Sequence, residues 1–304
     1  MKLKTALNKR KIYPPINSLS EIISRLSIER KEAEILTAFL LNKSRELILS
    51  HPEIELDQDF YKKIKDLEKK RLKNYPLAYL TGQQEFYGLN FKVNKNVMVP
   101  RPETEMMVDK IIDIFKKEAN DDSEISNPLI IDIGTGSGAI IIGLASELKR
   151  LMSFEFKSTE FKAIDISIAA LKVARNNAQL NGLNKTIKFY CGNLLDPVKK
   201  FLSGRNLIIA ANLPYLTLKQ VKGSPSISRE PKLALVAGAD GLKYYRELFK
   251  QLADLKYKTL TLFCEIDPNQ NELIVLLAKD YFLGGKLEII KDLAGLDRFL
   301  KIVN

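Results

Sequence analysis

The stretch that decides the fold is Ile-Ile-Asp-Ile-Gly-Thr-Gly-Ser-Gly, residues Ile130 to Gly138. An apolar run ends there in a glycine-rich turn, and a second apolar run, Ala139 to Ala145, follows at once. This order predicts a buried strand, a tight loop and the start of a helix, where free N–H groups face a ligand. Because the spacing is Gly-x-Gly-x-Gly, it matches neither a dinucleotide-binding nor a P-loop pattern. The loop therefore predicts a nucleoside ligand, with a purely structural turn as the alternative.

From residue 129 onward the chain alternates between strand-like and helix-like patterns. Ser167–Gln179 and Tyr244–Ala253 are examples of the helical segments between apolar runs. Such alternation predicts an α/β fold with a mostly parallel sheet, helices on both faces and a ligand beyond the carboxyl ends of the strands. The candidate strands are Leu129–Ile133, Glu160–Ile164, Lys188–Tyr190, Leu207–Ala211, Thr259–Glu265 and Lys286–Lys291.

The first quarter of the chain has a different pattern. From Ser18 to Arg71 the apolar residues recur at helical spacing, which predicts a small helical bundle behind a basic arm of residues 1–16. After Pro76, aromatic and β-branched residues with glycine turns predict a β-hairpin. We therefore divide the chain into a helical domain at 1–75, a linking hairpin at 76–96 and an α/β domain at 97–304.

The composition excludes several classes of protein. No apolar run of the 304 residues reaches the ~20 residues that span a bilayer, and no signal peptide is evident, so we expect no membrane partner. With His51 as the single histidine, predicted to lie in a loop, we expect no metal site. Cys191 and Cys264 are predicted to be buried free thiols.

The net charge of +11 is unevenly distributed. Residues 1–75 hold 17 Lys and Arg against 11 Asp and Glu, an excess of six. Such a basic region is typical of proteins with an acidic macromolecular partner. A lysine-rich solvated surface is the alternative, because arginine and aromatic residues do not interleave there.

Two further strand ends carry polar residues that suit a nucleoside and an amine. Asp165 ends the strand after the glycine loop, where a carboxylate accepts hydrogen bonds from both ribose hydroxyls. Asn212-Leu213-Pro214-Tyr215 follows another apolar strand. The Asn212 side chain and the Leu213 carbonyl, held extended before proline, offer two acceptors for an –NH₂ group, and Tyr215 offers an apolar wall. A structural turn is the alternative for this motif.

A proline-flanked arginine precedes the α/β domain in the run Pro100-Arg101-Pro102-Glu103-Thr104-Glu105. The two prolines fix the backbone around Arg101, and Thr104 can cap a following helix. The run predicts either a rigid functional loop, with Arg101 and Glu103 binding substrate, or a helix-entry turn with a local ion pair.

These features together resemble the class I S-adenosylmethionine-dependent methyltransferases. The runs Tyr79–Gly82, Phe86–Gly88, Phe91–Val93 and Pro100–Glu105 resemble in particular the HemK/PrmC family of release-factor glutamine N5-methyltransferases. Downstream, Glu230–Leu235, Gly238–Leu242, Gln270 and Asp292–Arg298 match the same family, so the resemblance covers nearly the whole chain.

The resemblance implies methyl transfer from S-adenosylmethionine to the glutamine side-chain amide in the Gly-Gly-Gln motif of class 1 release factors. It places the acceptor site at Asn212, Leu213, Pro214 and Tyr215. It implies a cytoplasmic location and no stable nucleic-acid partner. The implied cofactor-binding residues are Gly134, Thr135, Gly136, Ser137, Gly138, Asp165, Asn193, Leu194 and Asn212.

Two residues depart from the family pattern. Leu213 stands where the family has proline, which gives the Asn-Leu-Pro-Tyr motif of ribosomal RNA adenine dimethyltransferases. Asn193 stands where the family has an aspartate for the adenine amino group, and its side-chain oxygen is expected to accept there instead. Methylation of an exocyclic amine of adenine or guanine in RNA or DNA is therefore the competing hypothesis, and a non-catalytic cofactor-binding protein is the third.

Overall fold

The computed structural model describes residues 18–118, 127–151 and 157–304. The basic arm at residues 1–16 lies outside the described residues. The chain forms two compact units, Met1–Thr81 and Gly82–Asn304. Among the described residues, no helix is long and apolar enough to cross a membrane.

The first unit is helical, and its short helices begin at well-formed N-caps. Side chains of Ser18, Ser44 and Asp57 each accept a hydrogen bond from the backbone N–H three residues on, which pairs a donor the helix itself leaves free. Leu36 and Ile64 are fully buried in its core, whereas His51 lies exposed in a loop. The helices are α1 (Leu19–Ser24), α2 (Arg30–Leu41), α3 (Arg45–Ser50), α4 (Gln58–Leu72) and α5 (Leu77–Thr81).

The second unit opens with a β-hairpin, but this hairpin is shorter than the predicted segment 76–96, because Leu77–Thr81 form helix α5 of the first unit. Strands β1 (Gln83–Phe86) and β2 (Leu89–Lys92) pair antiparallel around a two-residue turn. Tyr87 and Gly88 both have positive φ, 53° and 68°, as a turn between two twisted strands requires.

A seven-stranded sheet forms the centre of this unit, in the order β5-β4-β3-β6-β7-β9-β8. Strands β3 to β7 pair parallel, and β9 pairs antiparallel with both β7 and β8. The predicted α/β class with a mostly parallel sheet is confirmed. The strands are β3 (Leu129–Ile133), β4 (Glu160–Asp165), β5 (Ile187–Cys191), β6 (Asn206–Ala211), β7 (Thr259–Glu265), β8 (Lys286–Lys291) and β9 (Asp297–Val303).

The sequence-based strand list ended at Lys291 and so missed β9. This strand is inserted between two others, and its inward and outward residues do not alternate cleanly because helices and neighbouring strands bury parts of both faces. Only its antiparallel pairing, with Phe299 opposite Glu265 and Ile302 opposite Leu262, identifies it as part of the sheet.

Both faces of the sheet are covered by helices. Ile131 and Ile209 belong to one apolar cluster and their neighbours Ile130 and Ile208 to the other, so alternate residues of the central strands feed opposite cores. Each buried isoleucine contributes about 1.5–3 kcal/mol. The helices are α6 (Glu105–Glu118), α7 (Ala139–Leu151), α8 (Ile168–Leu180), α9 (Leu218–Gly223), α10 (Lys243–Ala253) and α11 (Asn271–Tyr281); short 3₁₀ turns occupy Pro102–Thr104, Asp196–Phe201, Ile227–Arg229, Lys232–Ala234 and Pro268–Gln270.

Strand β3 is where the strand order reverses direction. The chain continues from β3 to β4 on one side, and later returns to β6 on the other. Helices leaving β3 and β6 diverge at such a point, and a crevice opens beyond the carboxyl ends of the strands. The glycine loop after β3 and the Asn212 motif after β6 therefore meet at this crevice.

One of the two cysteine predictions is wrong. Cys264 is buried in β7 as expected, but Cys191 is exposed. Cys191 is the last residue of β5, which forms the edge of the sheet, so no further strand covers it.

Candidate active site

The glycine loop is held tightly against the end of β4. Gly134, Gly136 and Gly138 all have positive φ, a conformation that disfavours side chains. The backbone N–H groups of Gly134 and Thr135 both donate to the carbonyl of Ile164 at 2.9 Å. A Cβ on Gly134 would lie 3.1 Å from the Leu213 side chain, so the loop and the Asn212 motif pack in direct contact.

Asp165 is fixed by two backbone donors. Its carboxylate accepts from the N–H of Gly136 at 2.9 Å and from the N–H of Ser167 at 2.8 Å. Burial raises the pKa of Asp165, against these two hydrogen bonds, which lower it. The acid predicted for ribose is therefore oriented by the glycine loop itself.

Asp132, inside the same motif, is a buried carboxyl behind the loop. It accepts a hydrogen bond of 2.6 Å from the Thr135 hydroxyl. Burial raises the pKa of Asp132 to about 7. Its contact with Thr135 ties the strand to the turn that follows it.

Two cavities meet at the Asn212 motif. The first, about 270 Å³, is lined by the glycine loop, Asp165, Asn193 and Leu194. The second, about 200 Å³, is lined by Tyr215 and other residues. We call them the cofactor cavity and the acceptor cavity. The residues that line both are Met98, Arg101, Asn212, Leu213 and Ala234.

The Asn212 side chain is held in one orientation. Its Nδ2 donates to the Glu265 carboxylate at 2.9 Å and to the Thr104 hydroxyl at 3.3 Å. Because a carboxylate only accepts, the nitrogen must face Glu265, and the side-chain oxygen is left as an acceptor at the junction of the two cavities.

Glu265 is the residue around which this cluster is arranged. It is 1% exposed at the end of β7 and accepts from Thr104 Oγ1 at 2.7 Å, from Asn212 Nδ2 and from the Tyr215 hydroxyl at 3.2 Å. Burial raises the pKa of Glu265 to about 7, although Thr104, Arg298 and Tyr215 act in the opposite direction. No motif marked Glu265 in the sequence; its place at a strand end, on the same edge as Asp165, was the only signal.

Two predictions about neighbours of Glu265 need correction. Thr104 does not cap a helix: its hydroxyl donates to Glu265, and α6 begins at the next residue. Tyr215 is not merely an apolar wall, because its hydroxyl also donates to Glu265. Burial and the adjacent carboxylate raise the pKa of Tyr215 above its usual range, so it stays a neutral donor.

The backbone of Tyr215 is positioned by two downstream segments. Its carbonyl accepts from Gln270 Nε2 at 2.8 Å, and the same amide donates to the carbonyl of Asp240 at 3.0 Å. A Cβ on Gly241 would lie 2.1 Å from both the Gln270 Nε2 and the Tyr215 carbonyl oxygen. Gly241 is therefore required by a close approach of backbone.

We expect Gly241→Ala to displace Tyr215 and to lower both stability and methyl transfer. The overpacking costs about 1–3 kcal/mol. Gly204→Ala is the matched control, since Gly204 also has positive φ but no atom within 4 Å of the added Cβ. Denaturant unfolding and a transfer assay of both variants check this. Equal losses in the two would show that backbone strain alone, and not the Tyr215 contact, sets the requirement.

Arg101 makes a long-range ion pair and no local one. Its guanidinium donates to Glu230 at 2.5 Å, and the same carboxylate accepts from the N–H of Val99 at 3.0 Å. Glu105 instead accepts from the N–H of Tyr87 at 2.8 Å, and Glu103 is exposed and lines neither cavity. The predicted rigid loop is thus ordered by Glu230. Glu103 acts on the site only through its negative charge, which adds to the raised pKa of Glu265.

Asn193 is oriented in the same way as Asn212. Its Nδ2 donates to Glu247 at 2.7 Å, which leaves its side-chain oxygen as the acceptor on a wall of the cofactor cavity. The next residue, Leu194, is buried with φ 46°, an unusual conformation for a leucine, and lines the same cavity. The structure therefore places the departure from aspartate where an uncharged acceptor can still face a ligand.

Comparison with known proteins assigns both parts of the chain. Residues 18–82 match the PrmC N-terminal domain and residues 126–282 match a methyltransferase domain. The release factor glutamine methyltransferase of Bacillus cereus is 31% identical over 293 residues, which cover 95% of this chain and 98% of that protein. That of Bacillus subtilis is 32% identical over 291 residues, 94% of this chain and 96% of its own.

Solved structures show the same fold at much lower sequence identity. The catalytic domain of human METTL16, in complex with hairpin 6 of the MAT2A 3′UTR, is 14% identical with a TM-score of 0.53, over 78% of this chain and 81% of that one.

The fold and the matched domain define a class I S-adenosylmethionine-dependent methyltransferase. The chain belongs to the release factor glutamine methyltransferase family, at near full length. The family membership, the enzyme class and the cofactor expected from the sequence are thereby confirmed.

Proposed function

We propose that this protein transfers a methyl group from S-adenosylmethionine to the side-chain nitrogen N5 of the glutamine in the Gly-Gly-Gln motif of class 1 peptide chain release factors. The observation that carries the proposal is the fixed amide of Asn212, whose oxygen is left as an acceptor where the two cavities meet. The names of the near full-length relatives support the same substrate.

The cofactor cavity fits a nucleoside with an attached amino-acid chain. Its glycine loop excludes side chains, Asp165 presents a carboxylate suited to ribose hydroxyls, and Asn193 presents an oxygen suited to the adenine amino group. We assign Thr135, Ser137, Gly138 and Leu194 to the same cavity wall or to the loop that shapes it. S-adenosylmethionine supplies a methyl group on a sulfonium, already a good leaving group, so the residues need only position the acceptor.

The acceptor poses the chemical difficulty, because an amide nitrogen shares its lone pair with its own carbonyl. We propose that the Asn212 side-chain oxygen and the Leu213 carbonyl accept hydrogen bonds from its two N–H groups and aim the nitrogen at the methyl. Positioning the reacting atoms at ~3–3.5 Å can lower the activation free energy by several kcal/mol. Acceptors facing the –NH₂ group also stabilise the positive charge that develops on nitrogen.

The remaining residues of the motif shape the acceptor cavity. Tyr215 lines it and Pro214 holds the Leu213 peptide extended, so the carbonyl can point outward. Leucine keeps the backbone carbonyl that proline would supply, so both hydrogen-bond acceptors are retained despite this departure from the family pattern. We propose that Arg101 also contacts substrate, since it lines both cavities; Glu103 would act only from the rim. No general base is needed, because the alkylated amide loses its extra proton readily.

Methylation of a nucleobase amine is the competing function. The structural likeness to an enzyme bound to an RNA hairpin, at 14% identity, concerns the fold alone. With a release factor as substrate, we expect no stable nucleic-acid partner, no membrane partner and a cytoplasmic location.

One assay separates the candidates. The protein is incubated with labelled cofactor and, separately, a class 1 release factor, its Gly-Gly-Gln Gln→Ala variant, and ribosomal RNA. We expect label on the parent release factor alone. Label on RNA would contradict the proposal, and label nowhere would favour a non-catalytic cofactor-binding protein.

We further propose that residues 1–75 dock the release factor. This segment carries the basic excess of six, and its helical part matches the PrmC N-terminal domain. Five of its basic residues fall at positions 1–17, so residues 18–75 carry an excess of only one. The charge available for docking is therefore concentrated in the first positions of the chain.

Removing residues 1–74 is expected to raise KM for intact release factor while cofactor binding persists. Replacing the five basic residues at positions 1–17 by glutamine should raise KM less and weaken its dependence on salt, because exposed charges are screened. Steady-state kinetics at several salt concentrations measure both effects. A truncated protein with unchanged KM would show that this segment does not dock the substrate.

A further inference from the structure

The loop between β8 and β9, residues 292–296, presents two leucines to solvent. Leu293 is 96% exposed and Leu296 is 48% exposed. A single exposed leucine is ordinary on a protein surface. Two on one five-residue loop, one of them almost wholly in solvent, form an apolar tip that the fold itself does not bury.

Despite its exposure, this loop is firmly held. The Asp292 carboxylate accepts from the backbone N–H groups of Ala294 and Leu296, both at 3.0 Å. The backbone N–H of Asp292 donates to the Leu296 carbonyl at 2.8 Å. The backbone hydrogen bonds and Arg298 hold the pKa of Asp292 below its usual value, so the carboxylate stays charged. The backbone of the loop is therefore held in one conformation, which lowers the entropy lost when its leucines bind a partner.

An ion pair between Asp292 and Arg298 connects the loop to the acceptor cavity. The Arg298 Nε and Nη2 donate to Asp292 at 3.0 and 2.9 Å, and Arg298 lines the acceptor cavity. The Arg298 carbonyl accepts from the N–H of Ile266, the residue after Glu265. The loop therefore extends from the carboxyl edge of the sheet, beside the cluster around Glu265.

We propose that the loop at residues 292–296 is a docking contact for the protein substrate, with Leu293 inserting into an apolar depression on the release factor beside the methylated glutamine. This rests on the proposed function. The occupant follows from continuity: a macromolecule whose glutamine enters the acceptor cavity must pass Arg298, which lines that cavity and is bonded directly to the first residue of the loop. The contact would let the enzyme bind a folded factor more tightly than a short peptide with the same motif.

Leu293→Ser tests the proposal, and Leu283→Ser is its matched control. Leu283 is also an exposed leucine, at 87%, but it precedes β8 and so lies at the opposite end of that strand, roughly 20 Å away. Binding of the unmethylated release factor is measured by titration in the presence of S-adenosylhomocysteine, so that no turnover occurs. Methyl transfer to a short Gly-Gly-Gln peptide is measured in parallel.

We expect Leu293→Ser to raise Kd for the release factor about tenfold, the loss expected for one leucine that is no longer buried. Leu283→Ser should change Kd for the release factor by no more than about twofold. In both variants, the rate of methyl transfer to the short peptide should also stay within about twofold of the wild-type rate. Equal Kd values for the wild type and Leu293→Ser would overturn the proposal. A wild-type protein that binds the factor but leaves its glutamine unmethylated would refute the proposed function instead, and the Kd ratio would still decide the role of the loop.

Discussion

Replacing Asn212 by alanine is expected to lower kcat for methyl transfer by about 10²–10³-fold, the range seen when one preorganised group of a transition-state site is removed. The alanine variant loses the acceptor that Glu265 and Thr104 hold at the junction of the two cavities. The cofactor should still bind within a few-fold of wild type, because the glycine loop and Asp165 are untouched. Single-turnover rates and a cofactor titration measure the two effects separately.

Asn193→Ala provides the matched control for Asn212→Ala. Both asparagines donate their side-chain nitrogen to a glutamate, but Asn193 lines the cofactor cavity alone. We expect its replacement to weaken cofactor binding while kcat at saturating cofactor changes less. Full activity in the Asn212→Ala variant, or the same pattern of losses in both variants, would remove Asn212 from its proposed role.

Replacing Glu265 by leucine is expected to lower kcat by about 100-fold, although Glu265 touches neither ligand in the proposal. Leucine has no acceptor for Asn212, Thr104 and Tyr215, so one buried and two partly buried donors lose their common partner. Glu265→Gln should cost less, about tenfold, because its oxygen can still accept from Asn212. KM for the cofactor should hardly change in the glutamine variant. A wild-type kcat in Glu265→Gln and Glu265→Leu alike would contradict a positioning role.

The pH dependence of transfer follows from the same carboxyl group. Burial raises the pKa of Glu265 to about 7, so the carboxylate that accepts from all three donors is lost as pH falls through that value. Activity of the wild type should therefore fall below about pH 7, and Glu265→Gln, which cannot ionise there, should lack this decline. An identical profile in the variant would assign the titration to another group.

The ionisation of Glu265 should affect stability in the opposite direction: the free energy of unfolding should fall as pH rises. A carboxyl with ordinary pKa 4.5 that titrates at about 7 when folded stabilises the protein in its neutral form. This contribution is complete below pH 4.5 and is lost as pH rises to 7, a difference of about 3 kcal/mol. The charged form that the site uses is therefore the less stable one, as is common where a fold keeps a functional group under strain.

Local patterns were enough to find the cofactor side of the site. The glycine loop, Asp165 and Asn212 each follow an apolar strand directly, and parallel strands bring their carboxyl ends to one edge. The crevice beside β3 then follows from the strand order alone. Leu213 and Asn193 could be placed for the same reason, although their departures from the family pattern had to be judged from chemistry.

The supporting contacts could not be predicted, because they join distant parts of the chain. Thr104 and Glu265 are 161 positions apart, and Arg101 and Glu230 are 129 apart. No spacing rule reaches across such distances, and a single carboxyl at a strand end carries no pattern of its own. Strand β9 escaped detection for a related reason, since only its pairing with β7 and β8 defines it.

The most direct test of the central claim is the position of the methyl group on the substrate. A class 1 release factor and its Gln→Ala variant are incubated with the protein and cofactor, digested, and sequenced by fragmentation in a mass spectrometer. We predict one added methyl on the side-chain nitrogen of the Gly-Gly-Gln glutamine in the parent, and none in the Gln→Ala variant. A methyl group elsewhere on the factor, or equal methylation of both proteins, would contradict the assignment of Asn212 and Leu213 as the residues that bind the glutamine amide.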